Sequence, residues 1–298
     1  MSPSLKDPDP ATISEWIGWG SRILQGHLED PGEESRFLME ALLGSRTSVW
    51  TRGSSLLPPE QAHQFRSWID RRRDREPFHL IVGSVEFFGN RFVLRPGVLI
   101  PRPETELLVQ RCIEGLEGRG ESGSPLRILD LGTGSGAIVL SLVLAISGST
   151  GVGVEREMPA MDVFLENRRR LGIERRVAAV RGSWGDMLSR RPSFDCIVSN
   201  PPYIPTGIIP GLAPEIRLFE PWSALDGGED GLREYREILS FAPMLLKRGG
   251  LLAVEIAPGL ARSDLFSGAS PEAAGLERPE ILKDLSGHDR VVTWVKKG

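Results

Sequence analysis

The chain has 298 residues, 40% of them hydrophobic and 26% charged, and a net charge of −4. This is the composition of an ordinary globular protein with ample core, and it gives no reason to expect a basic surface for nucleic acid. The opening stretch, MSPSLKDPDP, is polar and proline-rich, and the longest apolar run, residues 137–146, is about half a membrane span, so the expected setting is the cytoplasm with no membrane partner.

Residues 1–78 read as a helical domain. Thr12-Ile13-Ser14-Glu15 is a capping-box signature, followed by Trp16, Trp19, Ile23 and Leu24 at helical spacing. A second helix over 33–43 stops at Gly44. Pro58-Pro59-Glu60 opens a third, with Phe65, Trp68 and Ile69 on one face and Pro77 beyond its end. The run Arg71-Arg72-Arg73-Asp74-Arg75 falls in its last turns, where cations suit the helix dipole and can pair with Asp70, Asp74 and Glu76. It reads as a solvated face, with a partner-binding patch as the alternative. Residues 79–97 read as a linker, since 85–94 holds two short β-prone segments around Gly89-Asn90, a hairpin signal.

From 98 to 298 the pattern changes. Short apolar strands are predicted at 127–131, 151–155, 177–181, 194–199 and 251–256, with helices at 137–146, 159–171 and 232–246. Residues 280–285 and 290–295 flank Ser286-Gly287-His288-Asp289 as a closing antiparallel hairpin. Such alternation predicts an α/β fold with a doubly wound, mostly parallel sheet. The two cysteines, Cys112 and Cys196, are expected as free thiols in a reducing cytosol, Cys196 within a strand.

Three constellations carry chemistry. Directly after the first strand, Asp130-Leu131-Gly132-Thr133-Gly134-Ser135-Gly136 opens a helix, and its glycines let backbone approach a ligand at the sheet's C-terminal edge. Its spacing differs from the dinucleotide fingerprint, whose last glycine lies farther on. Glu155 ends the second strand, where an acid can accept hydrogen bonds from both hydroxyls of a ribose. Together they indicate a nucleoside cofactor, either a nicotinamide dinucleotide or S-adenosylmethionine.

Asn200-Pro201-Pro202-Tyr203, at the end of the strand 194–199, favours the second. A planar amide is a poor nucleophile because its nitrogen lone pair is delocalised. Two fixed acceptors for its N–H bonds can turn that lone pair toward a methyl donor and stabilise the charge that develops. The Asn200 side-chain oxygen and the Pro201 carbonyl are such a pair, Pro201 and Pro202 hold them by limiting φ, and Tyr203 offers a flat stacking face. A plain proline turn is the competing reading.

The chain resembles the release-factor glutamine methyltransferases, the HemK/PrmC family, along almost its whole length. The matching stretches are Glu76-Pro77 with 79–83, "VEFFG" (85–89), "GVLIPRPETELLV" (97–109), "ILDLGTGSGAI" (128–138), "GSWGDML" (182–188) and "VSNPPYI" (198–204). "FEPWSALDGGEDGLREYREI" (219–238) and "KDLSGHDRVV" (283–292) complete them. The resemblance implies a seven-stranded class I methyltransferase sheet after a helical substrate-recruiting domain, with S-adenosylmethionine as cofactor. It implies methylation of the glutamine of the Gly-Gly-Gln loop in class I peptide chain release factors. Cofactor contacts carry over to Gly132, Thr133, Gly134, Ser135, Gly136, Glu155, Trp184 and Asn200, and substrate contacts to Asn200, Pro201, Pro202 and Tyr203. A monomer is expected, with no direct nucleic-acid substrate. Two positions depart from the family pattern: Glu155 where aspartate is usual, and Ile256-Ala257-Pro258-Gly259 where a Gly-x-Gln pattern follows the strand.

Overall fold

A computed structural model describes Pro8 and residues 10–117, 125–184, 191–266 and 275–298. Its contacts divide the chain into two units, residues 1–84 with 213–219, and residues 85–212 with 220–298.

The first unit is helical. α1 (Ile13–Leu24) carries the expected capping box: Glu15 N donates to Thr12 Oγ1 at 3.3 Å and Thr12 N to Glu15 Oε2 at 2.7 Å. α2 (Pro31–Leu43) starts ahead of the predicted 33, because Asp30 caps it with Pro31 in the first turn, and it ends at Gly44 with φ 69°. The short α3 (Arg46–Arg52) was not foreseen; α4 (Pro59–Arg73) was, and α5 (Phe78–Val82) follows Pro77. Ile81 of α5 is buried in the core that Trp16, Trp19, Leu38 and Phe65 form, which carries this unit past the expected boundary at 78 to Ser84. Trp16 packs edge-on against Trp19 and Phe65, and a Cβ on Gly20 would lie 2.4 Å from Ser35 Oγ.

The second unit opens with the hairpin β1 (Ser84–Phe87) and β2 (Asn90–Val93). A 3-10 turn, Pro103–Thr105, leads into α6 (Glu106–Leu116), a helix that the proline-rich start of its motif obscured. Then come β3 (Arg127–Leu131), α7 (Ala137–Ala145), β4 (Thr150–Glu155), α8 (Met158–Arg170), β5 (Val177–Arg181) and β6 (Phe194–Ser199). The short α9 (Pro214–Phe219) belongs to the first unit. α10 (Arg233–Leu245), β7 (Leu246–Glu255), β8 (Glu280–Lys283) and β9 (Asp289–Val295) complete the chain. The sheet has seven strands in the order β5-β4-β3-β6-β7-β9-β8; β9 runs antiparallel to both neighbours and the other pairings are parallel. Winding reverses at β3, which has β4 on one side and β6 on the other. Ligands in open α/β sheets bind at such a reversal, beyond the C-terminal strand ends. No described helix is long and apolar enough to cross a membrane.

Part of the arginine run is the solvated face expected, since Arg71 and Arg73 stay over a third exposed and pair with Glu76, Asp70 and Asp74, but Arg72 is buried. Arg72 grips Glu34 with two bonds, at 2.8 and 3.0 Å, and reaches Glu215 of α9 at 3.2 Å. Arg75 bonds the other oxygen of Glu215 at 2.8 Å, Arg71 pairs with Glu76, and Arg73 with Asp70 and Asp74. Burial works against the Glu215 carboxylate, yet its own backbone amide and the hydrogen bonds from Arg75 and Arg72 hold it below the usual range. The Arg72 side chain is 8% exposed, so its loss strands Glu34 and leaves Glu215 with Arg75 alone. Arg72→Ala is expected to destabilise this unit by about 2 kcal/mol, less than the ~3–5 of a fully buried pair because both carboxylates keep some water. Urea unfolding followed by tryptophan fluorescence measures it, and Arg72→Lys, lacking the two-pronged geometry, should recover only part of the loss.

Candidate active site

The turn after β3 is held from three directions. Thr133 Oγ1 donates to Asp130 Oδ2 at 2.6 Å, Thr133 N to the Val154 carbonyl at 2.9 Å, and Gly134 N to Glu155 Oε2 at 2.9 Å. Asn167 of α8 ties in the helix behind, donating from Nδ2 to the carbonyls of Ser135 and Val93. Gly136, at the start of α7, has φ 85°, and a Cβ there would sit 2.4 Å from Phe164 Cδ2. Only glycine fits, because the conformation and the packing both exclude a side chain. At Gly134, by contrast, a Cβ would meet nothing within 4 Å. That glycine leaves open space on a cleft wall, the kind of cradle a ligand fills. Asp130 is fully buried, and burial lifts its carboxyl to about 7 against the pull of Thr133 and the Val139 amide.

Glu155 shows what the extra methylene does. Its Oε1 accepts the amides of Arg156 at 2.8 Å and Glu157 at 2.9 Å, while Oε2 reaches back to the glycine turn. A carboxylate offers about four lone-pair positions, and three are used here. The side chain thus braces the turn and keeps acceptor capacity on Oε2.

Trp184 follows β5 with φ 42°, a left-handed conformation that is rare for a bulky residue and tends to occur at functional sites. Its Cζ3 and Cη2 lie 3.5 and 3.6 Å from where a Gly132 Cβ would be, so the indole covers the glycine turn. Residues 185–188 of the "GSWGDML" match lie outside the described residues.

These groups share one cleft with the end of β6. Gly132, Thr133, Gly134, Ser135, Glu155, Trp184, Asn200 and Pro202 all line it, with Leu99, Pro101 and Thr105 of the "LIPRPETE" stretch. Gly136, Pro201 and Tyr203 do not line it. Gly136 packs beneath the turn, and Pro201 is buried. Tyr203 packs on the apolar core, where burial, with the nearby Glu255 charge, pushes its hydroxyl up to about 12. Asn200 donates from Nδ2 to Thr105 Oγ1 at 3.3 Å, which leaves its Oδ1 for a ligand.

The proline turn is itself supported by "ALDGGEDGL". Ile204 N donates to the Leu225 carbonyl and Gly227 N to the Ile204 carbonyl, both at 2.9 Å. A Cβ on Gly227 would lie 2.8 Å from Tyr203 Cα, and one on Gly231 2.5 Å from the Tyr203 carbonyl oxygen. Two stretches of backbone touch here with no room for a side chain. From the sequence alone these glycines carried only resemblance, with no structural reason.

Sequence reasoning also passed over Thr105, Arg102, Glu220 and Glu255. Arg102 pairs with the buried Glu220. Glu255 ends β7 at 1% exposure, and burial lifts its carboxyl to about 7, opposed by hydrogen bonding from Thr105 and the charge of Arg290. The signal was available: Glu255 is an acid at the end of an apolar strand, the same pattern that singled out Glu155.

Known proteins match most of the chain in sequence. Residues 15–83 match the PrmC N-terminal domain and residues 122–259 a methyltransferase domain. The release factor glutamine methyltransferase of Caulobacter vibrioides is 37% identical, over 95% of this chain and 96% of its own length. That of Rhodospirillum rubrum is 42% identical, over 90% of this chain and 80% of its own. The chain belongs to the release factor glutamine methyltransferase family. Among solved structures, the hMettl16 catalytic domain in complex with the MAT2A 3'UTR hairpin 6 shares the fold, with a TM-score of 0.53 at 15% identity, covering 80% of this chain and 84% of that one. The class I methyltransferase fold expected from the sequence is thus present, with its seven strands.

Gly136→Ala, forcing a Cβ into Phe164 at positive φ, is expected to cost about 2–4 kcal/mol of stability and to weaken binding of S-adenosylmethionine. Gly207→Ala, where a Cβ meets nothing within 4 Å, is the control and should change neither. Urea unfolding and titration calorimetry on the two variants check this.

Proposed function

We propose that this chain transfers a methyl group from S-adenosylmethionine to the side-chain nitrogen of the Gly-Gly-Gln glutamine in class I peptide chain release factors. The observation that supports this most is one cleft bearing the glycine turn and Glu155 with Asn200 and Pro202 at its other end, in a chain of this family. S-adenosylmethionine supplies an electrophilic methyl group on a sulfonium. In our reading, Gly132 to Gly136, Glu155 and Trp184 hold it. The open space at Gly134 and the remaining acceptor capacity of Glu155 suit that ligand.

The chain's part in the chemistry is orientation. Asn200 Oδ1 and the Pro201 carbonyl would accept hydrogen bonds from the two N–H groups of the glutamine amide, which points one face of its nitrogen toward the methyl carbon, and one of these two protons is released to solvent as the N–C bond forms. As positive charge develops on nitrogen, both acceptors bind more strongly, so they favour the transition state over the ground state. Leu99, Pro101 and Trp184 keep apolar surface around the reacting atoms. Tyr203 is the stacking face in this reading, although of the four residues of the proline turn only Asn200 and Pro202 line the cleft. The helical domain recruits the release factor through contacts remote from the glutamine, because one amide offers little surface for selectivity. We infer a monomer acting in the cytoplasm. Net charge −4 gives no electrostatic footprint for duplex nucleic acid.

Asn200→Ala should lower turnover on intact release factor on the order of a hundredfold or more, since it removes a positioned acceptor, while cofactor affinity, shared among several other contacts, falls far less. Transfer of isotope label from S-adenosylmethionine measures the first and calorimetry the second. Near-normal turnover in that variant contradicts the assigned role. Label in duplex DNA instead of release factor contradicts the substrate.

A further inference from the structure

One side chain bridges the cleft. Arg156 lines it from the chain that leaves β4, and Ser223 lines it from the 3-10 turn Trp222–Ala224. That turn lies beside the chain leaving β6, to which the bond from Ile204 N to the Leu225 carbonyl ties it. β4 and β6 flank β3, so the two residues stand on opposite sides of the β3 end. Arg156 Nη2 donates to the Ser223 carbonyl at 3.5 Å. Among the described residues this is the only hydrogen bond joining 155–157 to 220–226.

Both ends of the bridge are anchored, and the arm between them is not. Glu155 Oε1 accepts the Arg156 amide at 2.8 Å. In the turn, Ala224 N donates to the Pro221 carbonyl at 2.9 Å, and the amides of Leu225 and Asp226 both donate to the Trp222 carbonyl at 3.0 Å. Just before it, buried Glu220 is paired with Arg102. The Arg156 side chain, by contrast, is 46% exposed, and its Nε bonds a carboxylate equally exposed, Glu157, at 3.2 Å. A bond of 3.5 Å lies beyond the usual hydrogen-bond range, and exposed partners hold each other weakly. The arm can therefore swing while both walls stay in place.

We propose that Arg156 is a latch across the cofactor cleft, opening to admit S-adenosylmethionine and again to release the spent S-adenosylhomocysteine. The proposal rests on the reading of this cleft as the S-adenosylmethionine site. A ligand whose ribose is held by Glu155 lies next to the residue that follows it, so the arm from Arg156 to Ser223 stands in its way. A latch of this kind sets the barrier between free and bound states and leaves the two states themselves alone. Entry and exit then change together. A side chain that only touches the ligand acts differently, because its loss weakens the bound state and speeds exit alone. Charge steering differs again. The arginine repels the sulfonium of S-adenosylmethionine, so a steering role affects entry of that cation and spares S-adenosylhomocysteine, which has no sulfonium.

The test is stopped-flow tryptophan fluorescence on the full chain without release factor, with each of the two ligands in turn. In Arg156→Ala, association and dissociation rates should both rise about threefold to tenfold, the range that loss of one ordinary hydrogen bond allows, with Kd unchanged. The factor should be the same for both ligands. Arg156→Lys keeps a donor on a flexible stem and should fall between the two chains. Faster dissociation alone, with weaker binding, makes Arg156 a ligand contact and overturns the latch. So do unchanged rates, or a faster association seen only with S-adenosylmethionine. Absence of binding to the native chain sinks the reading of the cleft and the latch with it, whereas normal binding with unaltered rates in the variant sinks the latch alone.

Discussion

The site depends on β3 having parallel neighbours that leave it in opposite directions. β4 brings Glu155 to one side of the Leu131 end, and β6 brings Asn200 to the other, with Leu131 paired to Val154 and to Ser199. Chain that must turn away from both strands opens a crevice there, and no side chain needs to move to make it. Ser199 Oγ locks the pairing further by donating to the Leu131 carbonyl at 2.7 Å. The glycine turn and the proline turn are therefore two exits from one sheet edge. In the proposed reading, the sheet order would set a methyl donor held by the first beside an amide held by the second.

The proline turn has limited means of holding itself in place. Pro201 and Pro202 lack an N–H, so that stretch cannot join a ladder. What fixes it is the backbone of residues 225–231, hydrogen-bonded to Ile204 and Thr206 and approached so closely that Gly227 and Gly231 have no substitute. The Thr206 hydroxyl adds a bond to Asp226, so the turn is held rigid by neighbouring chain without a ladder of its own.

Much of this was legible in the sequence. Caps marked the starts of α1 and α4, and period gave α7, α8 and most strands to within about two residues, because those signals are local; β7 starts five residues ahead of the predicted 251. Glycine spacing and a strand-end acid picked out residues that the structure brings to one cleft. The signals that failed were nonlocal. Nothing in Arg71-Arg72-Arg73-Asp74-Arg75 says that Glu34 and Glu215, far along the chain, consume its charge. The helix after "LIPRPETE" begins inside a proline-rich motif, and Thr105 acquires meaning only from Asn200 across the fold. The domain boundary moved for the same reason, as Ile81 joins a core made of residues far earlier in the chain. One consequence is practical. Cutting the chain near residue 78 would remove Arg72 and Arg75 from Glu215 of α9, so truncation does not separate recruitment from folding cleanly.

Methyl transfer to one amide nitrogen is the central claim. Tandem mass spectrometry of an intact class I release factor, after incubation with this chain and S-adenosylmethionine, addresses it most directly. The expected result is a single added methyl group, located by fragmentation on the side chain of the Gly-Gly-Gln glutamine and absent when Asn200→Ala replaces the native chain. A methyl group on another residue, or an unmodified glutamine beside a chain that binds the cofactor normally, would contradict it.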